Sequence, residues 1–378
     1  MSATVHGAQR REVVVIGGGQ AGLAAGYFLA QQGRDFTILE AAGEPAAAWR
    51  ERWDSLRLFT SVRYDSLPGL DFPGDPDSYP GRGDVIAYLT DYAQRFELPV
   101  EFNSHVQAVR ARDGGGFVVE LADRLYEADQ VVVATGPFQV PFTPPVAAGL
   151  GSEVVQLHST RYRSPDDLPT GTVLVVGGGN TGYQISEELA QSREVHLAIG
   201  ARQMPLPQRI LGRDLFRYLQ ATGLMYKTMD SRLARRMKGK ETLIGSSPRA
   251  ARKLGIQLRP RATAAQGRSV KFADGSELAV DGVVWATGFR LDHSFVQLPV
   301  FNEESTVRHQ RGVTDIPGVY FLGLLWQHTR GSALLGWVKG DAQFIAQRID
   351  AFAQSLATSS ALLASEAGHW PIRSPPRS

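Results

Sequence analysis

The sequence predicts an α/β fold: two doubly wound, Rossmann-like dinucleotide-binding domains, the second inserted in the first. Three observations carry this expectation. A β-branched run at 12–16 ends in Gly17-Gly18-Gly19-Gln20-Ala21-Gly22 and leads into helical character over 23–32. A second copy occurs at 172–176, followed by Gly177-Gly178-Gly179-Asn180-Thr181-Gly182. Each copy then closes on a matching signature. Val131-Val132-Val133-Ala134-Thr135-Gly136 ends 119 residues after Gly17, and Val283-Val284-Trp285-Ala286-Thr287-Gly288 ends 111 residues after Gly177. One glycine turn after a strand arises readily by chance; two in matched context do not.

The elements follow in order. After the first helix, 36–39 reads as a second strand ending in Glu40. Residues 102–121 alternate around Asp113-Gly114-Gly115-Gly116, a hairpin signal. Proline-rich stretches at 137–145 and 164–170 read as connections between domains. In the second copy the helix runs to about Gln191 and 195–199 is the next strand. Residues 318–323 read as a late buried strand, 341–356 as a final amphipathic helix, and 357–378 as a flexible tail. The expected domains are 10–168 with 286–356 for the first dinucleotide, and 170–285 for the second, with a basic helical insertion at about 203–260.

Composition narrows the chemistry. The 378 residues are 43% hydrophobic and 21% charged, which suits a folded globular chain of two or three domains. Net charge is +2, so nothing global points to nucleic acid or anionic membrane. Cysteine is absent. Disulfides, thiolate metal sites and Cys-held iron–sulfur clusters are therefore excluded, and a cytoplasmic setting is expected. No run approaches the ~20 apolar residues of a transmembrane helix, and residues 1–11 do not read as a signal peptide. No metal is expected.

The glycine turns say what they bind. A turn between buried strand and helix lets backbone approach a pyrophosphate, and the helix start offers free N–H groups. This assigns Gly17, Gly19, Gln20 and Gly22 to one dinucleotide, and Gly177, Gly179, Asn180, Thr181 and Gly182 to another. Glu40 stands where a carboxylate accepts from ribose hydroxyls and repels a 2′-phosphate, which suits FAD or NAD. The second copy ends Ile199-Gly200-Ala201-Arg202 with no acid. Arg202 there suits the 2′-phosphate of NADPH; an ordinary solvated arginine is the alternative. Gly331-Ser332-Ala333 reads as another helix start, facing a flavin or simply packing on a strand.

These residues resemble the class B flavoprotein monooxygenases, specifically bacterial relatives of the flavin-containing monooxygenases. The resemblance spans about residues 10–350. It rests on both glycine turns, Trp49-Arg50 with Trp53-Asp54-Ser55-Leu56-Arg57-Leu58-Phe59-Thr60, both Ala-Thr-Gly signatures, His158-Ser159-x-x-Tyr162 and Gly331-Ser332-Ala333-Leu334. Only the second half of the family's linking fingerprint is present, since Val154 stands in place of its Gly. The resemblance implies cofactor contacts at Trp49, Arg50, Thr60, Val106, Thr135, Gly136, Thr287, Gly288, Gly323 and Gln327. It implies NADPH reduction of FAD, reaction with O2 to a flavin C4a-(hydro)peroxide, and oxygen transfer to a small soft nucleophile such as an amine or sulfide. Ser61, Gln327 and His328 are the candidate catalytic residues. Ser61 stands where several family members carry an Asn that supports the hydroperoxide. His158 reads as a structural hydrogen-bonding residue rather than a proton carrier.

Residues 202–261 hold 15 Lys or Arg against Asp214, Asp230 and Glu241. A solvated insertion, an attractor for anionic NADPH and a lid over a substrate channel all fit this segment. An NADPH-dependent flavin reductase serving a protein or quinone acceptor is the alternative function. Nucleic acid is not an expected partner, and homo-oligomerisation is left open.

Overall fold

The computed structural model describes residues 8–201, 204–237 and 242–367. Two sheets organise them. The larger, of nine strands, has a parallel centre in the order Val319–Phe321, Leu125–Val133, Gln9–Ile16, Phe36–Leu39, Val100–Glu101. Two antiparallel pairs extend it: Ala108–Ala111 with Phe117–Glu120, and His309–Gln310 with Val313–Thr314. Its strands therefore come from both ends of the chain. The smaller sheet is wholly parallel, in the order Gln257–Arg259, Glu194–Ala198, Thr172–Val176, Gly282–Trp285, Val155–His158.

The apolar runs become central strands because both faces are covered. Val13 and Val15 pack on one face with Leu23, Leu29, Ile345 and Ile349. Val14 and Ile16 face the other way, against Val109, Val119 and Phe321. The second copy repeats this, with Val173 and Val175 opposite Leu174. Helix Gln20–Gln31 fits so closely that a Cβ on Gly26 would stand 2.8 Å from Ile38 Cδ1.

Four expectations need correction. Strand Val155–His158 pairs with Gly282–Trp285, so the second sheet recruits chain before the boundary expected at 168. The insertion is mixed rather than helical: Met204–Leu206 pairs in parallel with Thr242–Ile244, and Gln257–Arg259 is already an edge strand of the second sheet. The last helix is longer than expected, Val338–Ala367, and takes in part of the predicted loose tail. No helix starts at Gly331, where a series of turns runs instead. Ser332 Oγ accepts from the N–H groups of His328 and Thr329, both at 3.0 Å, which holds the chain in a turn. A Cβ on Gly336 would lie 1.7 Å from Tyr64 O, so this stretch packs as close backbone before the helix begins. No described helix is long and apolar enough to cross a membrane.

Candidate functional site

A cleft of about 1780 Å³ lies where the two sheets meet, and both glycine turns line it. Their geometry explains the repeated signatures. Gly17 has φ +109°, and a Cβ there would stand 2.6 Å from Ala134 O. Gly177 has φ +129°, with the equivalent clash at 2.1 Å from Ala286 O. Each Ala-Thr-Gly thus ends the neighbouring parallel strand, against the opening glycine. Gly22 and Gly182 bring helix onto strand: their Cβ atoms would lie 1.9 and 1.8 Å from Gly17 O and Gly177 O. Gly19 is different. A Cβ on it meets nothing within 4 Å, and as N-cap of its helix it leaves the first N–H groups without a side-chain acceptor. The backbone there is bare toward the cleft, which fits a pyrophosphate.

Gly19→Ala is accordingly expected to leave the melting temperature of the flavin-free protein unchanged while lowering flavin retention. Gly22→Ala should lower both. Thermal melting with and without added FAD separates the two, and equal losses in the flavin-free protein would show that Gly19 is only a packing residue.

Glu40 lines the cleft at the end of its strand. Its Oε2 accepts from Gly18 N at 2.8 Å and its Oε1 from Ala42 N at 2.9 Å. These bonds fix the carboxylate while each oxygen keeps a lone pair for a ribose hydroxyl. Gln20 is committed to the protein: Trp49 Nε1 donates to its Oε1 at 3.0 Å, and its Nε2 donates to Ala333 O at 3.1 Å. Trp49 is held at the cleft wall by this pair. Asn180 is committed likewise, accepting from Ile244 N at 3.0 Å and donating to Thr242 O at 3.4 Å. It ties the second turn to the insertion.

Thr60, Val106, Thr135, Gly136, Gly177, Gly179, Thr181, Thr287, Gly288 and Gly323 also line the cleft. Thr287 Oγ1 donates to Phe142 O, and Gly288 O accepts from Phe142 N at 2.9 Å. His158 Nε2 lies 3.1 Å from Gly288 O and Nδ1 lies 3.1 Å from Thr160 Oγ1. Burial lowers its pKa, and the two contacts tie the end of strand Val155–His158 to Gly288 and Thr160.

Other expected residues sit elsewhere. Arg50 does not line the cleft; its guanidinium bonds Pro45 O at 2.9 Å and pairs with Glu44 at 3.1 Å. Gln327 is buried behind the wall, with Nε2 against Gly312 and Oε1 accepting from Leu324 N at 3.2 Å. His328 is off the wall too, and burial lowers its pKa. Ser61 is sealed from solvent, and its hydroxyl has no hydrogen-bond partner among the described residues. None of the three candidate catalytic side chains reaches the cleft. Arg202 lies outside the described residues.

The wall residue beside Ser61 is Thr60, which donates to Asp65 Oδ1 at 2.6 Å. Asp65 is buried, and burial raises its pKa to about 7. The folded protein thus keeps a proton that the unfolded chain, with its carboxyl near 3.8, has released. Stability is expected to fall as pH climbs from about 4 to 7 and to level off above that. Asp65→Asn should flatten this slope and raise stability at pH 8. Melting temperatures across that range check it; an unchanged slope would mean that Asp65 ionises freely in the fold.

Three cleft arginines escaped sequence reasoning. Arg52 lies over Phe138 and Phe289, 5.2 and 5.1 Å from the ring centroids. Arg261 follows the edge strand and donates to Gly200 O at 3.1 Å, beside the end of the strand where Arg202 is expected to act. Arg330 stands in the turn before the last helix. Long-range pairing placed them there, and no local spacing marked them.

The pattern of the pyridine nucleotide-disulphide oxidoreductases matches residues 14–207. An uncharacterized CzcO-like oxidoreductase of Geobacillus kaustophilus (strain HTA426) is 42% identical over 337 residues, covering 88% of this chain and 97% of the relative. The probable indole-3-pyruvate monooxygenase YUCCA1 of Arabidopsis thaliana is 29% identical over 312 residues, covering 73% and 75%. A solved flavin-containing monooxygenase from Stenotrophomonas maltophilia superposes with a TM-score of 0.77 at 31% identity, covering 91% of this chain and 99% of its own.

Proposed function

The chain belongs to the pyridine nucleotide-disulphide oxidoreductase family, and from that premise we propose the activity of this flavin-dependent enzyme, which uses FAD and NADPH. It oxygenates a small soft nucleophile, such as an amine or sulfide, with one atom of O2. The observation that carries this reading is a cleft shared by both glycine turns in a chain without cysteine. Two dinucleotides can meet there, while a dithiol relay has no thiol to use.

The residues divide the work. Gly17, Gly19 and the bare helix start would hold the FAD pyrophosphate, and Glu40 would accept from its ribose. Gly177, Gly179 and Thr181 would hold the NADPH pyrophosphate. FAD held there would supply the redox chemistry, with NADPH as the hydride donor and O2 as the oxidant. The protein positions both and keeps water out. Leu325, Trp326, Leu334 and Val338 give the wall an apolar stretch suited to that task. Thr60, with its hydroxyl held by Asp65, is the polar group of the wall nearest in sequence to the expected Ser61.

Glu40→Ala removes two backbone clamps and the ribose acceptor. FAD affinity is expected to fall by about 1.5–3 kcal/mol, the range for hydrogen bonds to a charged group. Equilibrium dialysis against FAD measures it, and unchanged retention would place the ribose elsewhere.

One observation favours the second reading, a reductase passing electrons to a protein or quinone acceptor: Ser61 is sealed from the cleft. Following NADPH consumption under air with a panel of amines and sulfides, and weighing the products, tests the proposal. Oxygenated product supports it. Consumption that depends only on a quinone or protein acceptor would replace it.

A further inference from the structure

The start of the insertion holds apolar side chains out in water. Leu211 is 92% exposed, more than any other large apolar side chain among the described residues, and Met204 and Tyr226 are 60% and 58% exposed. Leu211 is costly in a second way. It takes the first central position of a two-residue hairpin between Arg209–Ile210 and Arg213–Asp214, with φ +50° at Leu211 and +76° at Gly212. Such a turn favours Asn or Asp before its Gly, because a short polar side chain tolerates the left-handed backbone. The tip is nonetheless firmly built. Tyr218 Oη donates to Ile210 O at 3.0 Å, Phe216 N to Asp214 Oδ1 at 2.7 Å, and Gln220 Nε2 to Tyr226 Oη at 3.3 Å. Leu215, Phe216 and Met225 pack beneath as a small core. Hairpin, helix Leu215–Ala221 and turn Leu224–Tyr226 therefore form one folded unit that presents Leu211 at a tip.

Cations are interleaved with these side chains. Between 204 and 237 stand seven Lys or Arg against two acids, of which Asp214 is buried. Arg213, Arg217 and Lys227 are exposed and pair with no acid among the described residues. The whole chain carries only +2, so the rest of the molecule is acidic on balance. An anionic surface would turn the protein insertion first. Single apolar side chains alternating with cations suit a bilayer better than a protein partner. A protein interface needs a contiguous, shape-matched apolar centre. A bilayer takes isolated leucines into its acyl boundary, tyrosine at headgroup level, and arginine or lysine against headgroup phosphates.

We propose that the outer surface of segment 204–227 docks on an anionic lipid bilayer, with Leu211 entering the acyl boundary and Arg213, Arg217 and Lys227 meeting headgroup phosphates. The inner side of the same insertion lines the cleft through Phe216, Thr242 and Ile244, so docking brings the cleft to the lipid surface. The inference stands apart from the oxygenase reading, since binding needs no turnover.

The test floats the full FAD-loaded chain with vesicles of phosphatidylcholine, alone or mixed equally with phosphatidylglycerol. The protein is expected to float with the anionic vesicles and not the neutral ones, and to be released at about 1 M NaCl, where charge is screened within about 3 Å. Leu211→Asn, which suits the turn, should weaken vesicle binding about tenfold while its melting temperature holds or rises. The double variant Arg213→Gln, Arg217→Gln should weaken it about 10- to 30-fold. FAD content and the rate of flavin reduction by NADPH without vesicles should hold in both. Absence of flotation, equal flotation with neutral vesicles, or a Leu211→Asn protein that floats like the unaltered one would overturn the proposal. A dimer in solution that Leu211→Asn splits would also overturn it, giving this surface to a second copy of the chain.

Discussion

Gly22→Val protein is expected to be colourless, and Gly182→Val protein yellow but no longer reduced by NADPH. Both residues sit where helix crosses strand, with Cβ positions 1.9 and 1.8 Å from a carbonyl oxygen. No rotamer relieves a backbone contact that short, so the turn itself must move. The cost of such overpacking is about 1–3 kcal/mol, and the displaced N–H groups no longer converge on phosphate. Because the turns belong to different sheets, each variant should damage one dinucleotide site and spare the other. Flavin absorbance after purification, and anaerobic mixing with NADPH, read the two sites separately. If Gly182→Val is reduced at the unaltered rate, the second turn does not hold NADPH.

The second large effect concerns the choice of nicotinamide cofactor. Arg202→Ala and Arg261→Ala should each raise the KM for NADPH about 10- to 100-fold, the worth of one charge-assisted contact. The KM for NADH should scarcely change, since that cofactor lacks the 2′-phosphate. The rationale for Arg202 is the missing acid after the second strand. Arg261 adds a guanidinium beside Gly200 at the same strand end. Equal changes for both nucleotides would show that neither arginine reads the phosphate.

The sequence exposed what is local. Gly17 and Gly22, or Gly177 and Gly182, are separated by a few residues, and each must be glycine for a reason within its own turn. The matching Ala-Thr-Gly signatures were legible as repeats, although their cause, Ala134 and Ala286 pressed on the opening glycines, is a contact between distant strands. Val155–His158 was misplaced for the same kind of reason. Its partner Gly282–Trp285 comes more than a hundred residues later, and four extended residues carry no mark of which sheet they will join. The catalytic candidates fared worst. Resemblance pointed to Ser61, Gln327 and His328, yet whether a side chain faces a cleft or the core behind it is settled by packing. Thr60 faces in and Ser61 faces away, one residue apart.

Oxygen labelling puts the oxygenase chemistry to its sharpest test. Protein supplied with NADPH under 18O2, with the best amine or sulfide substrate, should yield product carrying one 18O atom, with NADPH consumed in proportion. Full oxidation of NADPH with all the labelled oxygen recovered as hydrogen peroxide, and none in product from any substrate, would contradict it.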